Sequence, residues 1–107
     1  MKQKRLQAIC AYLNVQDKII DVGCDHAYVA IWMARLGTQQ ILATDIHEEA
    51  LNMARKNIQK KGLENKIALQ LGDGLEDISV DEYDTLVIAG MGTSTIIHIL
   101  ADSMKLK

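Results

Sequence analysis

Four short stretches of this chain set carboxylates or glycines directly after apolar runs: Asp21-Val22-Gly23-Cys24-Asp25-His26, Asp45-Ile46, Gly72-Asp73-Gly74 and Ala89-Gly90-Met91-Gly92. Glycine lets main chain approach a ligand closely, and a carboxylate accepts from hydroxyls and amines or attracts a cation. The first stretch separates two ligand classes. A dinucleotide site uses G-x-G-x-x-G so that backbone amides reach a pyrophosphate at a helix N-terminus. Here Gly23 stands alone, with Asp25 and Tyr28 where the second and third glycines would be. A carboxylate at that place repels a pyrophosphate and attracts a ligand carrying a sulfonium and an ammonium group. Asp45 follows Gly23 by 22 residues, close to the roughly 20-residue interval at which an acid on the second strand accepts from ribose hydroxyls. Adenosine is the implied body, with Asp73 placed to accept from its exocyclic amine. Taken alone, Gly72-Asp73-Gly74 is equally a plain strand-to-helix turn.

The elements that must position these residues follow from hydrophobic period. Leu6, Ile9, Cys10 and Leu13 recur at helical spacing over 5–13, and 18–22 is a short apolar, β-branched run ending at Gly23. Ala27, Ala30, Ile31 and Ala34 mark a second helix over 27–36 with a Gly37 cap, followed by a strand over 41–45. Ala50, Leu51, Ala54 and Ile58 mark a third helix from His47 to a stop at Gly62, and a strand over 66–71 follows. Residues 83–89 give a fourth strand, and Ile96, Ile97 and Leu100 predict a helix over 93–101 with Thr93 or Ser94 as N-cap. Strands alternating with helices predict an α/β fold: a parallel sheet with helices on both faces and ligands outside the carboxyl ends of the strands.

Composition narrows the function classes. With 107 residues, 49% hydrophobic and 24% charged, the chain reads as one globular unit. No stretch approaches the roughly 20 apolar residues of a membrane span, and no apolar signal core follows the basic start, so the expected compartment is the cytoplasm. Cys10, Cys24 and the three histidines form no metal-ligand cluster, so no metal is expected. A net charge of −2 limits any nucleic-acid contact to local basic groups, with Lys2, Lys4 and Arg5 or Arg55, Lys56, Lys60 and Lys61 as candidates beside the simpler reading of a solvated face. Met33, Met53 and Met104 read as core filler.

Together these residues resemble a family, the bacterial tRNA (adenine(22)-N(1))-methyltransferases (TrmK-type) of the Rossmann-like class I methyltransferase fold. The carriers are Lys4-Arg5-Leu6, Asp21 to Tyr28, Gly72-Asp73-Gly74-Leu75, and Ile88 to Gly92 followed by Ile96, Ile99 and Leu100. The resemblance implies S-adenosyl-L-methionine as cofactor. Asp21, Gly23 and Asp25 would lie near its methionine end, Asp45 at the ribose, and Gly72, Asp73 and Gly74 near adenine, with Cys24 and Ile46 as further cofactor-binding residues. Ala89, Gly90, Met91 and Gly92 complete the cofactor-binding set, with Gly90-Met91-Gly92 facing the acceptor base. Asp25 and His26 are the candidate catalytic residues, orienting cofactor or acceptor, and tRNA is the implied partner, held partly by regions outside this chain.

That fold normally carries about seven strands, so 1–107 is expected to be the N-terminal portion of the domain, truncated after about four strands, with an exposed sheet edge able to pair in a homodimer. The alternatives are a methyltransferase with another acceptor, a non-catalytic adenosine-binding module, and an NAD-binding half, the last opposed by the missing glycines.

Overall fold

A computed structural model of the chain describes residues 3–72, 75, 78–89 and 95–99. In order these form α1 (Gln3–Cys10), β1 (Ile19–Val22), α2 (Tyr28–Leu36), β2 (Ile41–Asp45), α3 (Glu48–Lys60), β3 (Ile67–Leu71), one turn of 3-10 helix (Val80–Glu82), β4 (Thr85–Ala89) and β5 (Thr95–Ile99). The sheet order is β3-β2-β1-β4-β5. Strands β1 to β4 run parallel, with Ile19 opposite both Ile41 and Thr85, and Asp45 opposite Leu71. The chain therefore builds outward from β1 to β3 and then crosses back to β1's other side. That reversal is a topological switch point, where the loops after adjacent strands diverge and leave a crevice at their carboxyl ends.

Alternation along the strands sorts side chains onto two faces. Ile19, Ile41, Ala43, Ile67 and Val87 meet the apolar stripes of all three α-helices: Leu6, Ile9 and Cys10 of α1, Val29, Ala30, Met33 and Ala34 of α2, and Leu51, Ala54 and Ile58 of α3. Ile20 and Leu86 face the other way, against Leu75, Ile78, Val80 and Tyr83.

Two helices stop by the same device. After α2, Gly37 N–H bonds Ala34 O and Thr38 N–H bonds Met33 O; after α3, Gly62 N–H bonds Gln59 O and Leu63 N–H bonds Ile58 O. Gly37 and Gly62 adopt φ of 130° and 68°, which glycine reaches without a Cβ clash, so each supplies the closure of a Schellman motif. Leu63 and Ile58 share the core, completing the apolar contact that goes with it.

Two expectations fail here. Residues 95–99 are not helical but form β5, antiparallel to β4, with Ala89 opposite Thr95 and Thr85 opposite Ile99. Four of its five residues are β-branched, which favours extended backbone, and pairing removes an open edge from β4. Isoleucines at 96, 97 and 99 in so short a segment fit either period, which is why spacing alone misread it. The proposed caps Thr93 and Ser94 lie outside the described residues. Met53 is 44% exposed on α3, whereas Met33 is fully buried, so of these two Met33 fills the core and Met53 does not; Met104 lies outside the described residues.

Met33→Ala should therefore cost about 2–5 kcal/mol by leaving a cavity, and Met53→Ala no more than about 0.5 kcal/mol. Urea unfolding of the two variants measures both, and equal losses would contradict this assignment of the core.

Candidate functional site

The loop from β1 to α2 turns in left-handed backbone at Gly23 (φ 73°), Asp25 (φ 54°) and Ala27 (φ 65°). A left-handed conformation is free for glycine, tolerable for aspartate and strained for alanine, at a cost on the order of 1–2 kcal/mol. Hydrogen bonds hold the loop in it. Gly23 and Cys24 both donate their N–H to Thr44 O at 2.8 Å, Ala27 N–H bonds Cys24 O at 2.8 Å, and Asp25 N–H donates to Asp45 Oδ2 at 3.0 Å. From α3, Asn57 Nδ2 donates to His26 O at 3.0 Å. The amides of residues 23, 24 and 25 are thus turned onto β2. They are spent inside the protein, on the Thr44 carbonyl and the Asp45 carboxylate, and none is left for a ligand anion.

Asp45 ends β2 and is its centre of charge. Its Oδ1 accepts His47 N–H at 2.9 Å and the His47 ring Nδ1 at 3.1 Å, while Oδ2 takes the Asp25 amide. Burial pushes this carboxyl up, but the His47 and Asp25 amides, then the His47 ring, outweigh it and hold the carboxyl below its usual range. Asp45 is ionised.

Asp21 differs. It sits mid-sheet with Ala43 and Val87 on either side, and is 2% exposed. Burial, then the charge of Asp45, pushes its carboxyl up to about 7. Of these two acids on neighbouring strands, Asp45 at its strand end therefore carries the firm negative charge, with Asp21 beneath the rim and neutral over most of the acid range. The expected row of carboxylates on the rim is corrected to that extent.

Cys24 is likewise buried in the helix-side core, where burial and then Asp21 push its thiol up. Its side chain packs against protein, and its amide is already bonded to Thr44. Cys10 is pushed up to about 11 by burial and Asp21, and both thiols are free.

The remaining candidates do reach the edge. The Asp25 side chain is 70% exposed, with Oδ1 3.8 Å from His26 Nε2. His26 Nδ1 is 3.2 Å from Tyr28 Oη, and the rings meet edge to face at 5.5 Å. Ile46 is 58% exposed directly after Asp45. Gly72 N–H donates to Asp45 O at 3.0 Å, and a Cβ on Gly72 would meet nothing within 4 Å, so no internal packing requires glycine there. Ala89 closes β4 opposite Thr95. Asp73, Gly74, Gly90, Met91 and Gly92 lie outside the described residues. Sequence reasoning missed His47 and Tyr28; the signals were an Asp-x-His turn, in which an aspartate bonds the amide two residues on, and an aromatic two residues after His26.

Asp21 and Asp45 give stability opposite pH slopes. Asp21 ionises near 3.8 unfolded and about 7 folded, so its contribution is complete below the first value and is lost as pH rises to the second, on the order of 4 kcal/mol in all. Asp45, lowered in the fold, contributes above its ordinary 3.8 and loses that as pH falls. Asp21→Asn should accordingly flatten the decline in stability between pH 3.8 and about 7, read from urea midpoints across that range. A slope equal to that of the unmodified chain would identify another group as the one titrating.

Residues 2–107 match a family described as a methyltransferase domain. The chain is 36% identical over 98 residues to the tRNA (adenine(22)-N(1))-methyltransferase of Bacillus subtilis, an alignment covering 91% of this chain and 41% of that protein. It is 31% identical over 94 residues to the ribosomal protein L11 methyltransferase of Syntrophomonas wolfei, covering 88% and 30%. Among solved structures, TrmK of M. capricolum in complex with S-adenosyl-homocysteine superposes with a TM-score of 0.71 at 26% identity, over 82% of this chain and 51% of that one. The chain thus spans about a third to a half of the length of these relatives. With a parallel β3-β2-β1-β4 core, a β1 loop folded onto β2 and a family match along nearly all of its length, the chain belongs to the methyltransferase-domain family, in its Rossmann-like class I form.

Proposed function

We propose that this chain is the S-adenosylmethionine-binding part of an enzyme that methylates N1 of an adenine in tRNA. The observation that carries the cofactor is the ionised Asp45 carboxylate at the switch point, set beside loop amides that are turned inward. A pyrophosphate would find repulsion and no donors there, whereas a nucleoside cation finds an acceptor and a favourable charge.

The residues fit that group. Asp45 would accept from ribose, the exposed Ile46 side chain would lie against adenine, and the open space at Gly72 would admit the nucleoside edge. The exposed Asp25 carboxylate would draw the ammonium and sulfonium charges. Asp21 and Cys24 would support the loop from beneath. Asp73 and Gly74 would lie near adenine, and Ala89, Gly90, Met91 and Gly92 near the acceptor base.

The cofactor supplies an electrophilic methyl group on sulfur. Because a ring nitrogen has a free lone pair, its attack requires no prior loss of a proton, so His26 need not act as a base and can serve with Asp25 to orient the reactants. The positive charge left on the base is favoured by the same Asp25 carboxylate. Exocyclic amine transfer commonly uses an acid or amide followed by two prolines and an aromatic, and Ala89-Gly90-Met91-Gly92 offers none of them.

The tRNA acceptor is supported by the Bacillus subtilis relative and by the narrow Asp25-His26-Ala27-Tyr28 string; such a reaction belongs in the cytoplasm, and among the described residues no helix is long and apolar enough to cross a membrane. The second reading, methylation of a ribosomal protein, is favoured by the Syntrophomonas wolfei relative.

Calorimetry should show S-adenosylmethionine binding with no heat from NAD. Asp45→Ala should weaken that binding at least about 10-fold, the loss expected on removing a charged acceptor. Binding unaffected by the substitution would refute the assigned ribose contact. Labelled methyl incubated with total tRNA should appear as N1-methyladenosine on nucleoside analysis, and label found in ribosomal protein instead would favour the second reading.

A further inference from the structure

We infer that the His47 imidazole competes with the ribose for Asp45, so that His47 is a specificity-determining residue which sets the affinity for ligands bearing a vicinal diol. The inference rests on the nucleoside reading of the site and goes on to a residue that reading does not use. A carboxylate offers about four lone-pair positions. In Asp45 three are occupied: Oδ1 by the His47 amide and the His47 ring, and Oδ2 by the Asp25 amide. Two ribose hydroxyls, one to each oxygen, require two positions, and Oδ1 has none to give.

Something must leave. Both amides are fixed, since the Asp25 N–H belongs to the loop fastened along β2 and the His47 N–H to the start of α3. The ring is not. Its side chain is 65% exposed, and rotation about χ1 moves it into water without disturbing any backbone hydrogen bond. Because Asp45 is ionised and can only accept, the ring holds its place by carrying its proton on Nδ1. Entry of the diol exchanges that donor for a ribose hydroxyl. A ligand with a single ribose hydroxyl needs only the vacant position on Oδ2 and leaves the ring where it is.

The test uses S-adenosyl-homocysteine and its 2′-deoxy analogue with the unmodified chain, His47→Ala and His47→Phe. His47 caps α3 without a side-chain hydrogen bond to the helix, so both variants should fold, which thermal melting checks. Both should bind S-adenosyl-homocysteine about 3- to 10-fold more tightly, the equivalent of one hydrogen bond no longer displaced. For the 2′-deoxy analogue the variants should match the unmodified chain. Phenylalanine keeps the bulk of a ring and removes the donor, so tightening in His47→Ala alone would assign the effect to size and overturn the inference. Unchanged or weaker binding of S-adenosyl-homocysteine in both variants would also overturn it, the latter by showing that the ring supports the site. Absence of binding by all three proteins would overturn the nucleoside reading itself, and this inference with it.

Discussion

The Asp45 carboxylate accepts an amide from the loop after β1 and another from the loop after β2, and the upper edge of the sheet is organised around that double attachment. A buried ionised acid is stable only when hydrogen bonded, and this one is bonded by groups whose own backbone it fixes. With the bonds of Gly23 and Cys24 to Thr44 O, the bond to Asp45 holds the loop after β1 in its left-handed turns at Asp25 and Ala27. Burial, and then this same charge, pushes the Asp21 carboxyl up on the adjacent strand, so of these two acids Asp45 is the one that carries a firm charge in a defined position. Electrostatics and loop geometry are in this sense one feature.

Much of this frame was legible in the sequence because it depends on local rules. Apolar spacing located α2, β2, α3 and β3 to within a residue or two, and Gly37 and Gly62 marked helix ends because no other residue type reaches their backbone conformation as easily. The interval from Gly23 to Asp45 indicated two residues brought to one edge by a βαβ unit, and both lie there. What the sequence could not show was how the polar groups divide their hydrogen bonds. Asp21 and Asp45 are the same residue type one strand apart, yet burial and then the Asp45 charge push the first up to about 7, while hydrogen bonds hold the second below its usual range. That difference arises from neighbours that only the folded sheet supplies.

The errors have physical causes as well. Met53 follows the general pattern of a methionine on an amphipathic helix, but its position falls on the outer side of the stripe set by Leu51, Ala54 and Ile58. The misread segment at 95–99 was a competition between two periods over too few residues, decided by an available strand edge. The direction of the Cys24 side chain was not legible either, because sequence gives no direction for a side chain in irregular backbone. In the fold it points into the core with Ala27.

The register of β1 also governs the order in which the protein can assemble. Its partner β2 lies 22 positions along the chain, and its other partner β4 lies 66 positions along, as the pairs Ile19–Ile41 and Ile19–Thr85 show, whereas β4 and β5 meet through only five intervening residues. Closing a long loop costs more entropy than closing a short one, and contacts distant in sequence slow folding. The central strand is thus the one whose second neighbour arrives by the longest closure. The crevice beside β1 is complete only after that closure, so its shape belongs to the finished sheet and to no smaller part of the chain.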